Sequence, residues 1–346
     1  MASPASWNTS LVLDSVLTTS MMNYMRTLFE QVVTQNALYH RLFKKGKITT
    51  MDGGEAIIVP LMYELNDTVK FYDGYEGLDV TPQDGMAPAR FEWKQLSGSV
   101  SISRKEERMN AGKNKLIDLL QAKLDQLRIS LAEKLGRVAY ADGSEDGNKA
   151  FLGLDALVET GSGGFSVLGG IDSSANSWWQ NQALDVSGVG GGDFDATAGA
   201  AEGDVIIGET WMRQMYNLCT RGNQQPTSIF TYVTSFEEYE AALTKNQRFT
   251  DTETASHGFQ NLKFKNALMF WDSAYIIGNA GTAGGIGRMY FLNEEYMKVI
   301  IDSGTNWIST PFIRPHNEDS RTSQVLIMGN MVVTNRQRHG VIYGIT

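Results

Sequence analysis

The sequence predicts an α+β protein, and three observations carry that reading. Between Gly112 and Tyr140, Leu116, Leu120, Leu124, Leu127, Leu131, Leu135 and Val138 recur at steps of three and four, the apolar stripe of an amphipathic helix. From Met51 to about Glu107 the period changes to two, as in half-buried strands. Residues 204–249 then read as helix, strand and helix, and further strands close the chain.

The long helix contains no proline, and its glycines are Gly112 at the start and Gly136 near the end. At 1.5 Å per residue it would span roughly 40 Å, well above the globular mean. Lys115, Asp118, Asp125, Arg128, Glu133 and Arg137 decorate its other faces. It reads as a strut whose leucine stripe lies on the C-terminal strands. Leu127→Asp is expected to abolish folding, and Arg128→Ala at most to disturb assembly.

Ahead of it, residues 1 to about 13 read as an arm. Leu17, Met21, Tyr24, Leu28, Val32, Tyr39 and Leu42 form an interrupted helical stripe, with Asp14 or Ser15 as N-cap. Lys44, Lys45 and Lys47 stand at its C-terminal end, where the helix dipole favours cations. Met21, Met22 and Met25 suit either core filling or docking on a neighbouring subunit. In the period-two region, EAIIVPLMYE is a strand that Pro60 confines to an edge or bulge. ARFEWKQLSGSVSISRKEE is another, with a break at Gly98, and Phe71, Tyr72 and Tyr75 cluster in the turn-rich stretch between them. Residues 51–107 thus read as a long hairpin of two or three strands. Such a hairpin is marginal alone in water. It packs on the main domain or lies on a partner chain, and its lack of a covering helix favours the partner.

After the helix, Asp142, Ser144, Asp146 and Gly147 mimic a calcium loop, but Gly153 stands where the closing Glu belongs, which excludes an EF-hand. Residues 183–204 read as a surface excursion of small and acidic residues. IIGETWMRQMYNLCTRG is a helix ended by Gly222, PTSIFTYVT a strand, and SFEEYEAALTKNQRF a helix with Ser235 and Glu238 as a capping box. KNALMFWDSAYIIG and RMYFLNEEYMKVII are strands, and the NAGTAGGIG turn between them lacks the order of a phosphate loop. SQVLIMGNMVVTNRQRHGVIYGIT is one long strand or a pair.

Composition narrows the function. The 346 residues carry a formal charge of −9, which argues against a general nucleic-acid wrapper. Thirty-five glycines, about one residue in ten, predict many turns. The single cysteine, Cys219, excludes an intrachain disulfide or a Cys-based zinc cluster and reads as a buried small side chain. No run of 18 apolar residues suggests a membrane span. The N-terminus lacks a secretory pattern, so the sequons at Asn8 and Asn66 carry no glycosylation meaning and a reducing cytoplasm is expected. There is no G-x-S-x-G, P-loop, H-E-x-x-H or Cys–His arrangement. His40, His257, His316 and His339 are scattered; only the loop His316-Asn317-Glu318-Asp319 crowds His with carboxylates, and it reads as a solvated salt-bridging loop. The basic tract Arg336 to His339 reads as facing water or a subunit contact, with nucleic acid the lesser alternative. No catalytic, cofactor-binding or metal-binding residue is expected.

In order and in phrase, the chain resembles the major capsid proteins of tailed bacteriophages, the group with the HK97-type fold. The phrases include GGEAIIVPLMYE, FYDGYEGLDVTPQDG, FEWKQLSGSVSISRKEE, GKNKLIDLLQAKLDQ, GGIDSSANSWWQNQ, TSIFTYVTSFEEYEAA, TPFIRPHNEDSR and GNMVVTNRQRHGVIYGIT, running from about residue 50 to the end. The resemblance implies an N-terminal arm at 1–47, an extended β-hairpin E-loop at 48–108 and the spine helix of a peripheral domain at 109–149. An α/β axial domain would occupy 150–285, including the excursion 183–204, and peripheral strands 286–346. It implies pentamers and hexamers forming an icosahedral head around double-stranded DNA held without sequence-specific binding. A portal and an optional decoration protein would be further partners; the location would be the virion shell, assembled in the host cytoplasm. With about 110 residues ahead of the spine, a separate scaffolding protein or earlier processing is implied. Some members crosslink a lysine to a neighbour's asparagine; no motif carries that role over to Lys94. Candidate intersubunit contacts are Arg90, Lys94 and Arg104, the aromatics Phe71, Tyr72 and Tyr75, and Arg314 and Arg321. The alternatives are an encapsulin-like nanocompartment shell, another phage structural protein, and an enzyme resting only on the His316 loop.

Overall fold

The computed structural model describes residue 18 and residues 36–109, 113–161, 164–186, 207–242, 261–272, 287–314, 316 and 318–345. The methionine-bearing stretch of the N-terminal stripe, the excursion beyond Val186, most of the NAGTAGGIG turn and His257 lie outside the described residues.

In chain order the elements are α1 (Ala37–Lys44), β1 (Ile48–Met51), β2 (Ile57–Met62), β3 (Met86–Phe91), β4 (Lys94–Ser103), α2 (Arg104–Met109) and α3 (Lys113–Val138). There follow β5 (Val167–Leu168), β6 (Ile171–Asp172), β7 (Gln182–Asp185), α4 (Ile207–Cys219), β8 (Ser228–Tyr232), α5 (Val233–Ala242), β9 (Asn261–Phe264) and β10 (Ala267–Asp272). The chain closes with β11 (Gly287–Leu292), β12 (Met297–Asp302), β13 (Ile308–Ser309), β14 (Ser320–Val333) and β15 (Gly340–Ile345).

The first sheet is built on β14. Its first ten residues pair antiparallel with β4, from Ser320↔Ser103 to Gly329↔Lys94. On its other side β12 and then β13 follow one another along the strand, and β1 runs parallel outside β12. The second sheet has the order β7-β15-β11-β8-β10-β9, with parallel pairs β7–β15 and β8–β10. A separate ribbon pairs β2 with β3.

Several expectations change here. Residues 51–107 are not one hairpin. The ribbon ends at Phe91, and β4 leaves it to pair with β14, so the last part of the stretch belongs to the body. Gly98 does not break β4. It stands opposite Val325 within the ladder, and a Cβ there would lie 2.5 Å from Leu127 Cδ1, so the glycine admits the helix. RMYFLNEEYMKVII is two strands in different sheets, separated by a turn that Asn293 caps through the Glu295 amide. The C-terminal tract is likewise a pair, and because β11 and β15 join β8 and β10, a boundary at 285/286 coincides with no sheet boundary. The first residues of the 183–204 excursion form β7. Helix α5 begins at Val233, so Ser235 lies inside it and does not cap it.

The helix α3 covers β4 with Leu120, Leu124, Leu131 and Leu135, all buried, and with the half-buried Leu127. Each fully buried side chain of this kind contributes about 1.5–3 kcal/mol. Lys123 anchors it further, donating to Ser101 O at 2.8 Å and pairing with Glu106 at 2.9 Å. The C-terminal turn of α3 reaches the second sheet, where the Tyr140 and Phe230 ring centroids are 6.3 Å apart. One core therefore runs from the ribbon's inner face, under α3, to the second sheet; another lies between that sheet and α4 and α5.

Candidate assembly interface

The ribbon β2–β3 divides its residues strictly by face. Ile57, Val59, Leu61, Ala89 and Phe91 are buried against the same chain, including the turn at Gly169 and the indole of Trp179. Of the two covers left open for the hairpin, its own chain supplies the one for the inner face, against the expectation that favours a partner. The outer face holds Ile58, Pro60, Met62, Met86, Pro88 and Arg90, all exposed. Alternation along both strands, with Pro60 opposite Pro88, produces this division.

The two prolines also determine how the ribbon can bind. Tyr63 N–H donates to Gly85 O across the ribbon, while Arg90 N–H turns outward to Gly169 O. Hydrogen-bonded and open pairs alternate in an antiparallel ladder, so Pro60↔Pro88 is an open pair whose amide positions face the two outer edges. With no N–H at those positions, neither edge accepts a continuous added strand. The ribbon is left to dock through side chains.

Beyond Tyr63 the chain forms an irregular tip held by local bonds. Tyr63 OH donates to Asp84 O at 2.6 Å, Lys70 Nζ to Gly77 O at 3.2 Å, and Glu76 N–H to Asp73 O at 2.8 Å. Between residues 64 and 84 stand six carboxylates, Glu64, Asp67, Asp73, Glu76, Asp79 and Asp84, against the single cation Lys70. The Thr81 hydroxyl and amide both donate to Asp79 and hold its carboxyl below the usual range. Phe71 and Tyr75 are fully exposed and Tyr72 largely so, as are Leu65, Val69, Leu78 and Val80. Isolated exposed apolar residues are ordinary; a concentration of this size marks an interaction surface.

The predicted contact residues fall in different surroundings. Phe71, Tyr72 and Tyr75 stand exposed in the hairpin tip, and Arg90 is exposed near the body end of the ribbon, opposite Ile58. Lys94 is tied within the chain, donating to Glu92 and to Asn148 O, each at 2.8 Å. Arg104 is exposed at the far end of the first sheet, 3.8 Å from Asp319, and Arg314 is exposed on the strand-like segment beside Thr322. Arg321 is buried. His316 and Glu318 are exposed, and among the described residues no three His, Cys, Asp or Glu side chains converge as a metal site. Cys219 is buried beside Met215, and burial pushes its thiol up to about 12.

No protein-family model matches the sequence, and no curated protein matches it. Solved structures do. The capsid asymmetric unit of cyanophage A-1(L) aligns with a TM-score of 0.63 over 87% of this chain and 90% of that one, at 15% identity. The capsid of the myovirus XM1 gives 0.51 over 87% and 91%, at 13% identity. An encapsulin in a holo-complex from Synechococcus elongatus gives 0.50 over 88% and 87%, at 8% identity. The chain has the HK97-type fold.

Two polar clusters stabilise this HK97-type body, and the sequence reading did not find them. The first is a bidentate ion pair: Arg41 on α1 meets Glu294 at 2.8 and 3.0 Å, both side chains almost wholly buried. It fastens α1 to the turn before β12. The second corrects the reading of the Arg336–His339 tract. Arg336 is fully buried and donates to Leu157 O at 2.9 Å, Ser173 Oγ at 2.7 Å and Asn181 Oδ1 at 3.3 Å. His339 is also fully buried, its Nδ1 accepting from Asn293 N–H at 3.4 Å. Neither side chain faces water, nucleic acid or a neighbour; Arg336 holds the turn before β15 to the segment after α3, and His339 holds it to the turn after β11.

Proposed function

We propose that this chain is a major capsid protein. It self-assembles as pentamers and hexamers into an icosahedral head that encloses double-stranded DNA, and it acts as a structural protein without catalytic chemistry. The observation that carries this reading is the hairpin. Its inner face is consumed by its own chain, while its outer face and aromatic tip stand apolar and open. Such a surface on a chain of HK97-type fold is best accounted for by an identical neighbour. In this reading residues 52–91 supply the E-loop, α3 is the spine, the first sheet with β1 is peripheral, and much of 150–285 is axial. Arg90, Phe71, Tyr72 and Tyr75 are the contact residues that the hairpin's geometry favours. A separate scaffolding protein, a portal and an optional decoration protein complete the partners, in a virion assembled in the host cytoplasm.

The acidic composition suits a shell whose inner surface does not grip its genome, since strong charge neutralisation would hinder packing and release. Electron microscopy of the purified protein, alone and with its scaffold, tests the proposal. Closed icosahedral particles are the expected result, and protein that stays monomeric under all conditions contradicts it. The similarity to an encapsulin supports a second reading, a nanocompartment shell with enzyme cargo. Terminase and portal genes beside the coding gene favour the head; a peroxidase or ferritin-like gene favours the compartment.

A further inference from the structure

Where the ribbon leaves the body, a groove of about 460 Å³ opens between its distal end and the turn before β15. Met62 and Tyr63 form one wall, and Trp178, Arg221, Gln337 and Arg338 the other. Tyr63 stacks on Trp178 with centroids 5.1 Å apart, which fixes an aromatic floor. Two of the groove's three charged residues are cations, Glu64 being the exception. Arg221 is exposed, and Arg338 Nε is buried without a hydrogen-bond partner among the described residues. The groove is therefore cationic and aromatic.

We propose that this groove receives the hairpin tip of a second copy. The tip beyond Glu64 is its chemical complement, with five carboxylates against one lysine and three exposed aromatic rings. Charge complementarity of this kind orients partners and speeds their encounter, and aromatic rings facing arginines add cation–π attraction. The ribbon's prolines exclude strand addition at its edges, so the tip and outer face are what remain for docking. Tip and groove lie at different places on one chain, so the contact is head-to-tail; repeated, it closes a ring when the rotation allows. The inference rests on the shell reading and names the acceptor for the hairpin that this reading leaves open.

Charge reversal on the full-length protein tests it, with shell yield read by sedimentation and microscopy under conditions where the wild type assembles. Asp73→Lys with Glu76→Lys reverses the tip, and Arg221→Glu reverses the groove; circular dichroism verifies that each stays folded. Each reversal is expected to cut shell yield at least about tenfold, and the combination to recover most of it. Arg338→Gln is expected to weaken assembly without rescue by the tip reversal. If the tip reversal fails to assemble while Arg221→Glu and Arg338→Gln assemble like the wild type, the acceptor is wrong and the shell reading stands. A wild type that never forms shells removes both. Salt-sensitive binding of an oligonucleotide by the isolated subunit, abolished by Arg221→Glu, would assign the groove to nucleic acid and overturn the proposal.

Discussion

Buried polar side chains set the pH response of this molecule. His339 is fully enclosed and faces Arg336, so burial first and the neighbouring cation second push its pKa down to about 3, from an ordinary 6.5. In the unfolded chain the imidazole takes a proton below pH 6.5; in the folded chain it stays neutral until about 3. The unfolded state then binds more protons, so stability falls as pH drops through this window, by about 1.4 kcal/mol per unit. Urea unfolding of the unassembled subunit should show roughly 2 kcal/mol lost between pH 7 and 5 from this group. His339→Gln should remove that part of the slope, and an unchanged slope would refute the assignment. Gly153 gives a second residue-scale prediction. A Cβ there would lie 2.2 Å from Val138 O and 2.4 Å from Ala141 O, both rigid backbone at the end of α3. Gly153→Ala should cost about 3 kcal/mol, read as a lower urea midpoint at an unchanged slope. The sequence showed this glycine only as a departure from a calcium loop. Its packing role was invisible, because the carbonyls it accommodates belong to another element. The same holds for Arg336, whose partners Leu157, Ser173 and Asn181 lie more than 150 residues away.

Among the elements, α3 was the most legible, because its apolar spacing is local and needs no partner to be read. Leu120, Leu124, Leu131, Leu135 and Val138 are buried as the spacing predicts. What lay beyond the sequence was the surface they meet. The stripe lies on β4, which the period-two pattern assigned to the hairpin, and β4 in turn pairs with the C-terminal strand β14. Alternation reveals that a segment is a strand but not which strand it joins, and the partner here lies over 200 residues downstream. The packing also sharpens the expected mutational test. Leu127 is half-buried over Gly98, whereas Leu124 is 2% exposed. Leu124→Asp, which buries an unpaired charge, should abolish soluble folded protein. Ile129→Asp, at a position 53% exposed on the same helix, should change stability by no more than about 0.5 kcal/mol. Equal effects at both positions, by soluble yield and thermal unfolding, would contradict the helix orientation.

At the scale of the whole molecule, folding and assembly use different parts of the hairpin. The ribbon's inner face belongs to the main core, so β2 and β3 contribute to subunit stability. Among the described residues, the tip between Tyr63 and Gly85 makes only local bonds and one ring contact at its root, Tyr63 on Trp178. Tyr63 and Gly85 form a hydrogen-bonded pair, which is the geometry a two-residue turn closes. Replacing Glu64–Asp84 with Asn-Gly should therefore leave the subunit's circular dichroism intact and shift its Tm by less than about 1.5 °C, the equivalent of about 1 kcal/mol in a chain of this length. The shortened loop also costs less closure entropy, which offsets the lost local bonds. Assembly should fail, because the exposed rings and carboxylates that a neighbour would engage are gone. A folded subunit that sediments only as small species is the expected outcome. If the shortened protein instead built shells as well as the wild type, the tip would have no part in joining subunits, and the contact would have to come from the ribbon's outer face alone.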